Sequence, residues 1–344
     1  MATPEELKEN AAWRLQYRQR RYLQDATAEE LRTRFQFVFQ NAYFINRDGK
    51  FQRNVDNERW AELFTHVLEE ITLRRVPLEM PVPELFPRRY TKAQRAAELW
   101  DKLGLSRGSY LLKFGHAVHL RALFEDGRIQ ISPASSYADP SLNSAIQDNE
   151  LEFTQESVET TIAAPPEGDY SIPREQWIPV PLVGPVKYRY QQENTYYVSC
   201  LASQYEYRLY EDFGYDACLV IREPERFISK MKVCGEAALS GWCFRASPVT
   251  YLDPCHPIPD RDIDIPFIKH FKFAYQHEFR IVWEPPMMRP AHRTFHFTLS
   301  GSCGLRPKVS PQKRNEERDI KQQPLERIYI TLGALTDYCD LLVL

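Results

Sequence analysis

The seven cysteines of this 344-residue chain, at 200, 218, 234, 243, 255, 303 and 339, form no C-x-x-C pair and are odd in number. That argues against a disulfide framework and against a zinc ribbon. They read as thiols of a reducing, cytosolic compartment. The opening MATPEELKEN has neither the basic region nor the apolar region of a signal peptide, and no run of about 18 apolar residues occurs, so secreted and membrane classes are not expected. A surplus of one charge is also missing. The 44 Lys plus Arg against 47 Asp plus Glu leave −3, so a nucleic-acid partner must be met by a local patch and not by a global field. There is no internal repeat.

What is present is 43% hydrophobic and 13% aromatic residues, enough for a full core and too apolar for a disordered tail. Two domains are expected, a helical one over 1–105 and an α+β one over 106–344. In the first, Thr27 with Glu30 makes a capping box for a helix carrying Leu31, Phe35 and Phe39. Trp60, Leu63, Phe64, Val67, Leu68 and Ile71 fall on one helical stripe, which predicts packing against other helices and leaves dimerisation through it open. The Arg-rich first helix, with Arg14, Arg18, Arg20 and Arg21, reads as an ordinary solvated surface with Glu partners or as a nucleic-acid face. A proline-rich stretch at 77–87 breaks the helical pattern, and Thr91 is expected to cap a last helix ending near Gly104.

After residue 109 the texture becomes short alternating runs. Tyr110, Leu112 and Phe114, then Ile129 and Ile131, predict two strands flanking a short helix stopped by Gly127. Strands are expected around YYVSCLAS and DACLVIRE, a helix near 225–232, a strand pair in WCFRASPVTYLD and a last strand beginning at IYITLG. The proline-rich stretch from about 160 to 192 predicts an extended surface excursion without regular elements, a candidate substrate-covering loop. The segment 306–324, which includes Lys313, reads as a basic, solvated loop.

Three places look able to carry chemistry. If the run after Ala274 is one strand, Tyr275, His277, Phe279, Ile281 and Trp283 share a face, and Gln276, Glu278 and Arg280 share the other. The plain reading of that polar face is contact with water; the functional reading is an acceptor and a cation beside a bound ligand. Ser199 and Ser203 lie on one face of their strand and either bond to backbone or enter one cleft; no G-x-S-x-G frames them, so a hydrolase nucleophile is not supported. Lys113 and His116 stand where a strand hands over to a helix, a place where backbone N–H groups and a cation receive an anion. Asp139, Asp148 and Glu150 match no metal-binding loop, and Cys243, Cys255 and His256 lack a fourth zinc ligand.

The order of these blocks is itself informative. LLKFGHAVHLRALFEDGRIQISPASSYADP, VSCLAS followed by RLYEDFGYDACLVI, WCFRASPVTYLD, KFAYQHEFRIVW and IYITLG together resemble the bacterial domain-of-unknown-function family 2971 over roughly residues 109–340. The chain differs from that pattern in having Ala138 where Asn precedes Asp-Pro, and in the segment Gln204 to Tyr210. A basic or His residue on a first strand, a Ser-containing middle strand and a Gln-x-Glu on a late strand also resemble the three-part signature of ADP-ribosyltransferases. This second resemblance implies an α+β fold with a split antiparallel β-sandwich catalytic domain behind the N-terminal helices. It implies NAD as substrate and transfer of ADP-ribose to a macromolecular acceptor, nucleic acid or protein, in toxin or antiviral defence. Glu278 would be the catalytic acid and Gln276 would orient the acceptor. Lys113 or His116 would hold phosphate or ribose, Ser199 or Ser203 would brace the site, and Arg280 would tune Glu278 or lie at the solvated strand end. A non-catalytic nucleotide sensor and a metal-dependent nuclease built on Asp139, Asp148 and Glu150 are the rival readings.

Overall fold

The computed structural model describes residues 4–54, 58–77, 90–105, 110–157, 161–164, 166, 171–181, 186–256, 263–286, 292–296 and 325–344. The proline stretch after Pro77, Cys303 and the segment 306–324 with Lys313 lie outside them. The fold is α+β with antiparallel main-sheet pairing. Among the described residues no helix is long and apolar enough to cross a membrane.

Three helices open the chain, α1 (Pro4–Gln19), α2 (Ala28–Ala42) and α3 (Glu58–Arg74). The capping box forms as its sequence predicts: Thr27 accepts from the Glu30 N–H, and the Glu30 carboxylate accepts from the Thr27 N–H. The Trp60 stripe is spent inside the chain. Trp60, Leu63, Val67 and Ile71 are buried with Leu31, Phe35 and Val38, and this core is closed by Phe271, whose ring stacks on Trp60 at 6.0 Å. That covers the surface considered for dimerisation. The arginine face of α1 has acidic partners: Arg18 donates to Glu69 at 2.7 Å and Arg21 to Glu70 at 2.7 Å. A short helix α4 (Ala93–Asp101) follows, with Lys92 and not Thr91 at its cap; Thr91 donates to Glu211 instead.

The main sheet has eight strands: β1 (Leu111–Gly115), β2 (Arg128–Pro133), β3 (Tyr197–Ala202), β4 (Ala217–Ile221), β5 (Cys243–Pro248), β6 (Glu278–Glu284), β7 (Ile328–Thr331) and β8 (Cys339–Val343). Six of them run in the order β5-β6-β3-β1-β4-β8, while β2 pairs with both β3 and β7. Helices α5 (Ala117–Asp126) and α6 (Pro224–Ala238) cover one face, over a core that includes Leu120, Leu123, Ile129, Tyr197, Leu219, Ile281 and Trp283. Gly127 stops α5 in the left-handed conformation, φ 71°, where a Cβ would meet the Gly333 backbone at 2.1 Å. The other face packs Leu112, Phe114, Cys218 and Val220 against Ala96, Leu209 and Tyr210.

Several expectations are corrected. β7 is followed by a further strand, β8, because Gly333 and the turn at 336–338 return the chain to β4. The WCFRASPVTYLD strands do not pair with each other: β5 pairs with β6, and Thr250–Leu252 pairs in parallel with Ile268–His270. The proline-rich excursion does contain elements, since Thr161–Ala164 pairs with Ile178–Pro181, and Val186–Gln191 pairs with Glu152–Ser157. Prolines 179 and 181 sit in a two-stranded ribbon, where both strands are edges and a missing N–H is tolerated.

Candidate functional site

The site grows from an opening in the sheet. β1 and β3 pair at one position, Leu112 with Ala202, and β2 takes over the same edge of β3 further on, at Ser132 with Val198 and Pro133 with Tyr197. Among the described residues, the stretch of β3 between those contacts has no strand neighbour on that side. Lys113 bridges the gap by donating from Nζ to the Cys200 carbonyl oxygen at 2.8 Å, the acceptor that a neighbouring strand would otherwise satisfy. Burial pushes the Lys113 pKa below its ordinary value.

Side-chain alternation along β3 separates residues that the sequence had grouped. Cys200 stands opposite Arg280 and Ser199 opposite Ile281, so Cys200, Glu278 and Arg280 share one face while Ser199 points to the α5 and α6 side. Ser203 lies past the strand end, its hydroxyl on the His277 carbonyl at 3.0 Å. The two serines therefore do not share a cleft.

The expected strand also begins later than its pattern suggests. Phe271–Gln276 is a 3-10 turn and His277 is left-handed, φ 46°, so β6 starts at Glu278. Asn41 of α2 holds this turn, accepting from the Tyr275 N–H at 2.8 Å and donating to the Lys272 carbonyl at 3.2 Å. Phe279 packs toward the α6 side as expected, whereas Tyr275 lies under Arg208, 3.8 Å from guanidinium carbon to ring centre.

The polar face does not meet water. Gln276 and Glu278 are 5% exposed and Arg280 is 0%. Glu278 Oε1 accepts from Arg280 Nε at 2.7 Å, and Oε2 accepts from Lys269 Nζ at 2.9 Å. Arg280 Nη2 lies 2.5 Å from Glu150 Oε2, an ion contact whose angle is not that of a hydrogen bond, and Lys269 lies 3.4 Å from Glu150 Oε1. Two carboxylates and two cations thus alternate in a closed ring. A buried charge is tolerated only when paired, and here each has two opposite neighbours. Burial alone would raise the Glu278 pKa; Arg280 and Lys269 overcome it and hold the carboxyl well below its usual range. Outside the ring, burial and then Glu150 push Asp148 up to about 6, and burial pushes the Cys200 thiol up to about 12.

Two cavities flank Lys113. One of about 110 Å³ is lined by Glu278, Gln276, Lys269, Glu150, Cys200 and Lys113, with Tyr137 and Tyr215. Gln276 is committed to its wall, donating to the Ala145 carbonyl at 2.7 Å. The second, about 420 Å³, shares Lys113, Phe114, Tyr137 and Tyr215 and adds His116, His119, Arg128, Gln130, Ser132, Ser199 and Tyr329. Among the described residues its lining has no carboxylate. Ser199 is 2% exposed and its hydroxyl has no partner among the described residues. The start of α5 is less open than expected, because the Ala117 N–H already donates to Asp216 Oδ1 at 2.7 Å, with His116 Nδ1 at 3.9 Å from the same oxygen.

Of the nuclease residues, Asp148 and Glu150 lie within electrostatic reach of each other and Asp139 stands apart. Asp139 caps its own turn through the Ser141 N–H, Glu150 is bound in the charge ring, and among the described residues no three His, Cys, Asp or Glu side chains stand where they could hold a metal ion. Cys255 and His256 belong with Asp253, which accepts from Arg34 through both oxygens at 2.8 and 2.6 Å.

Lys269, Glu150, Arg128 and Tyr329 were not among the residues expected to bind a nucleotide. A signal for Lys269 was present, since a lysine inside the apolar run IPFIKHF is buried only with an acidic partner. No family model matches the chain, and no curated protein or solved structure matches it.

Proposed function

We propose that the chain is an ADP-ribosyltransferase-like enzyme that takes NAD and transfers its ADP-ribose to a macromolecular acceptor. The observation that carries this reading is the opening in the sheet: the Lys113, Ser199 and Glu278 strands are consecutive neighbours, and the first two part where two cavities meet. The residues present fit an anionic dinucleotide. The larger cavity is of ligand size and, among the described residues, carries Lys113, His116, His119 and Arg128 without a carboxylate in its wall and offers a Ser199 hydroxyl that has no partner. The smaller cavity suits the nicotinamide ribose.

In this reading the bond from nicotinamide to the ribose carbon breaks and its electron pair leaves with nicotinamide. Positive charge develops on the ribose, and Glu278, kept ionised by Arg280 and Lys269, stabilises it without having to reorient. Arg280 acts as a buried partner of Glu278, not as a solvated strand end. Gln276, anchored to Ala145, forms wall and leaves acceptor orientation to other groups.

The test is release of nicotinamide from NAD by the purified chain, with and without nucleic acid or cell lysate, and the same assay on Glu278→Gln. Loss of the fixed carboxylate should slow turnover by roughly 100-fold or more. Absence of turnover in every mixture would refute the reading.

One observation favours a second reading. Both Glu278 oxygens are already held by cations, which leaves little net charge to offer a developing cation and suits a cleft that binds a nucleotide without cleaving it. Calorimetry that shows saturable NAD or nucleotide binding with no product would select it.

A further inference from the structure

We propose that Lys113 is a reactive amine that condenses with the aldehyde of a small phosphate ester, forming an imine where the two cavities of the sheet opening meet. This chemistry does not require NAD to be cleaved. It requires that the amine be neutral and reachable, and the Lys113 side chain lines both cavities.

Lys269, Arg34 and Arg208 show how the fold treats a buried cation: each has a carboxylate, at 2.9, 2.6 and 2.7 Å. Lys113 is treated differently. Among the described residues it forms no ion pair, and its Nζ donates instead to a backbone carbonyl, that of Cys200, at 2.8 Å. That bond needs a single N–H, which a neutral amine keeps, so the nitrogen lone pair is left free. Burial lowers the Lys113 pKa most, and Cys200 and Glu278 raise it by less. A desolvated lysine is a nucleophile suited to imine formation with carbonyl compounds. An NAD phosphate would then be met by Arg128 and the histidines, and not by Lys113.

In the step, the amine lone pair forms the bond to the carbonyl carbon, and the carbonyl π pair moves onto oxygen, which is protonated. The C–O bond then breaks with its electron pair and the oxygen leaves as water; one hydrogen of that water comes from the amine and the other is a proton taken from solvent. Tyr137 and Tyr215 line both cavities, and burial keeps their phenols protonated, so they can relay that proton. The product is a protonated imine. Its remaining N–H still suits the Cys200 carbonyl, and the Glu278 charge acting on Lys113 favours the cation. The larger cavity, of about 420 Å³, sets the phosphate half of the ligand. Ser199 offers there a hydroxyl that is 2% exposed and has no partner, and Arg128, stacked over the Tyr329 ring at 4.5 Å, supplies the charge.

The test is incubation of the full chain with pyridoxal 5′-phosphate or with pyridoxal, followed by borohydride reduction and peptide mass spectrometry. The phosphate ester should label Lys113 at least about tenfold faster than Lys232, an exposed reference, because the neutral fraction of an amine rises about tenfold for each unit its pKa falls toward the working pH. Pyridoxal, which lacks the phosphate, should label Lys113 about tenfold more slowly than the ester does. Arg128→Ala should bring the ester's rate at Lys113 down toward that of pyridoxal; Arg128 is exposed, so circular dichroism should show the fold intact. Unfolding in urea should erase the preference for Lys113. Labelling of Lys113 no faster than of Lys232, equal rates with pyridoxal and its phosphate, or indifference to Arg128→Ala overturns the proposal.

Discussion

Replacing Arg280 by methionine should unfold the charge ring from its centre. Arg280 is 0% exposed and contacts Glu278 at 2.7 Å, Glu150 at 2.5 Å and the Pro266 carbonyl at 2.9 Å. Without it, two buried carboxylates share Lys269 as their one remaining ring cation, at 2.9 and 3.4 Å. Breaking a buried ion pair from one side costs about 3–5 kcal/mol, because the survivor stays desolvated. At a urea slope of about 3 kcal/mol/M that lowers the midpoint by roughly 1 M or more. Tryptophan fluorescence is a suitable probe, since Trp283 lies fully buried on the same strand. The pH dependence has a definite sign. In the native chain the Glu278 carboxyl is depressed, so its contribution is present above the unfolded value of about 4.3 and is lost as pH falls through the folded value. In the variant the Glu278 carboxyl loses its Arg280 partner, its pKa rises, and the penalty fades as pH falls and it protonates. The gap between native and variant should therefore narrow from pH 8 to pH 5. Glu278→Gln combined with Arg280→Met should cost less than the sum of the two single changes. A gap below about 1 kcal/mol at pH 7, a gap independent of pH, or simple additivity would refute the reasoning.

Other expectations can be checked in the same samples. Gly235→Ala should cost about 1–3 kcal/mol in calorimetry, because an added Cβ would lie 2.4 Å from Trp283 Nε1 in a filled core. Asp148→Asn should stabilise the chain at alkaline pH: a carboxyl pushed up to about 6 contributes fully below its unfolded value and loses that contribution as pH rises through 6. The gain at pH 8 should reach up to about 3 kcal/mol and vanish near pH 4, and a variant no more stable at pH 8 would count against it. Arg34→Leu strands the buried Asp253, so hydrogen exchange should accelerate together in α2 and around 250–256; acceleration confined to α2 would mean that the pair does not join the two layers.

Much of the local structure was readable because its causes are local. The capping box needs residues 27 and 30, the Gly127 stop needs one left-handed residue, and the stripe from Trp60 to Ile71 is visible in any helical projection. Seven of the eight strands of the main sheet were found for the same reason, and β8 was not. Their neighbours were not, because pairing of β8 with β4, or of β2 with both β3 and β7, is decided by tertiary packing. The site shows the same division. Glu278 and Arg280 were placed on one face correctly, but the choice between a solvated face and a ligand-facing one stayed open, since the partners that bury it come from Glu150 and from Lys269, on separate elements. His277 hid the start of β6 because the left-handed conformation is rarely signalled by a residue other than glycine. The pairing of Ser199 with Ser203 failed because the strand ends at Ala202 and the Ser203 hydroxyl bonds to the His277 carbonyl, while register sets Ser199 opposite Ile281 on the α5 and α6 side.

The stacking of Phe271 on Trp60 also sets a timetable. The helices it seals end at Arg74, so roughly 200 further residues must be made before their core can close, about 10–40 s of synthesis at 5–20 residues per second. Over that interval the Trp60 stripe lacks the ring that stacks on it in the finished fold. That ring arrives on a turn that runs straight into Glu278. Completion of the first-made layer and assembly of the charge ring are therefore one late event in the life of the nascent chain.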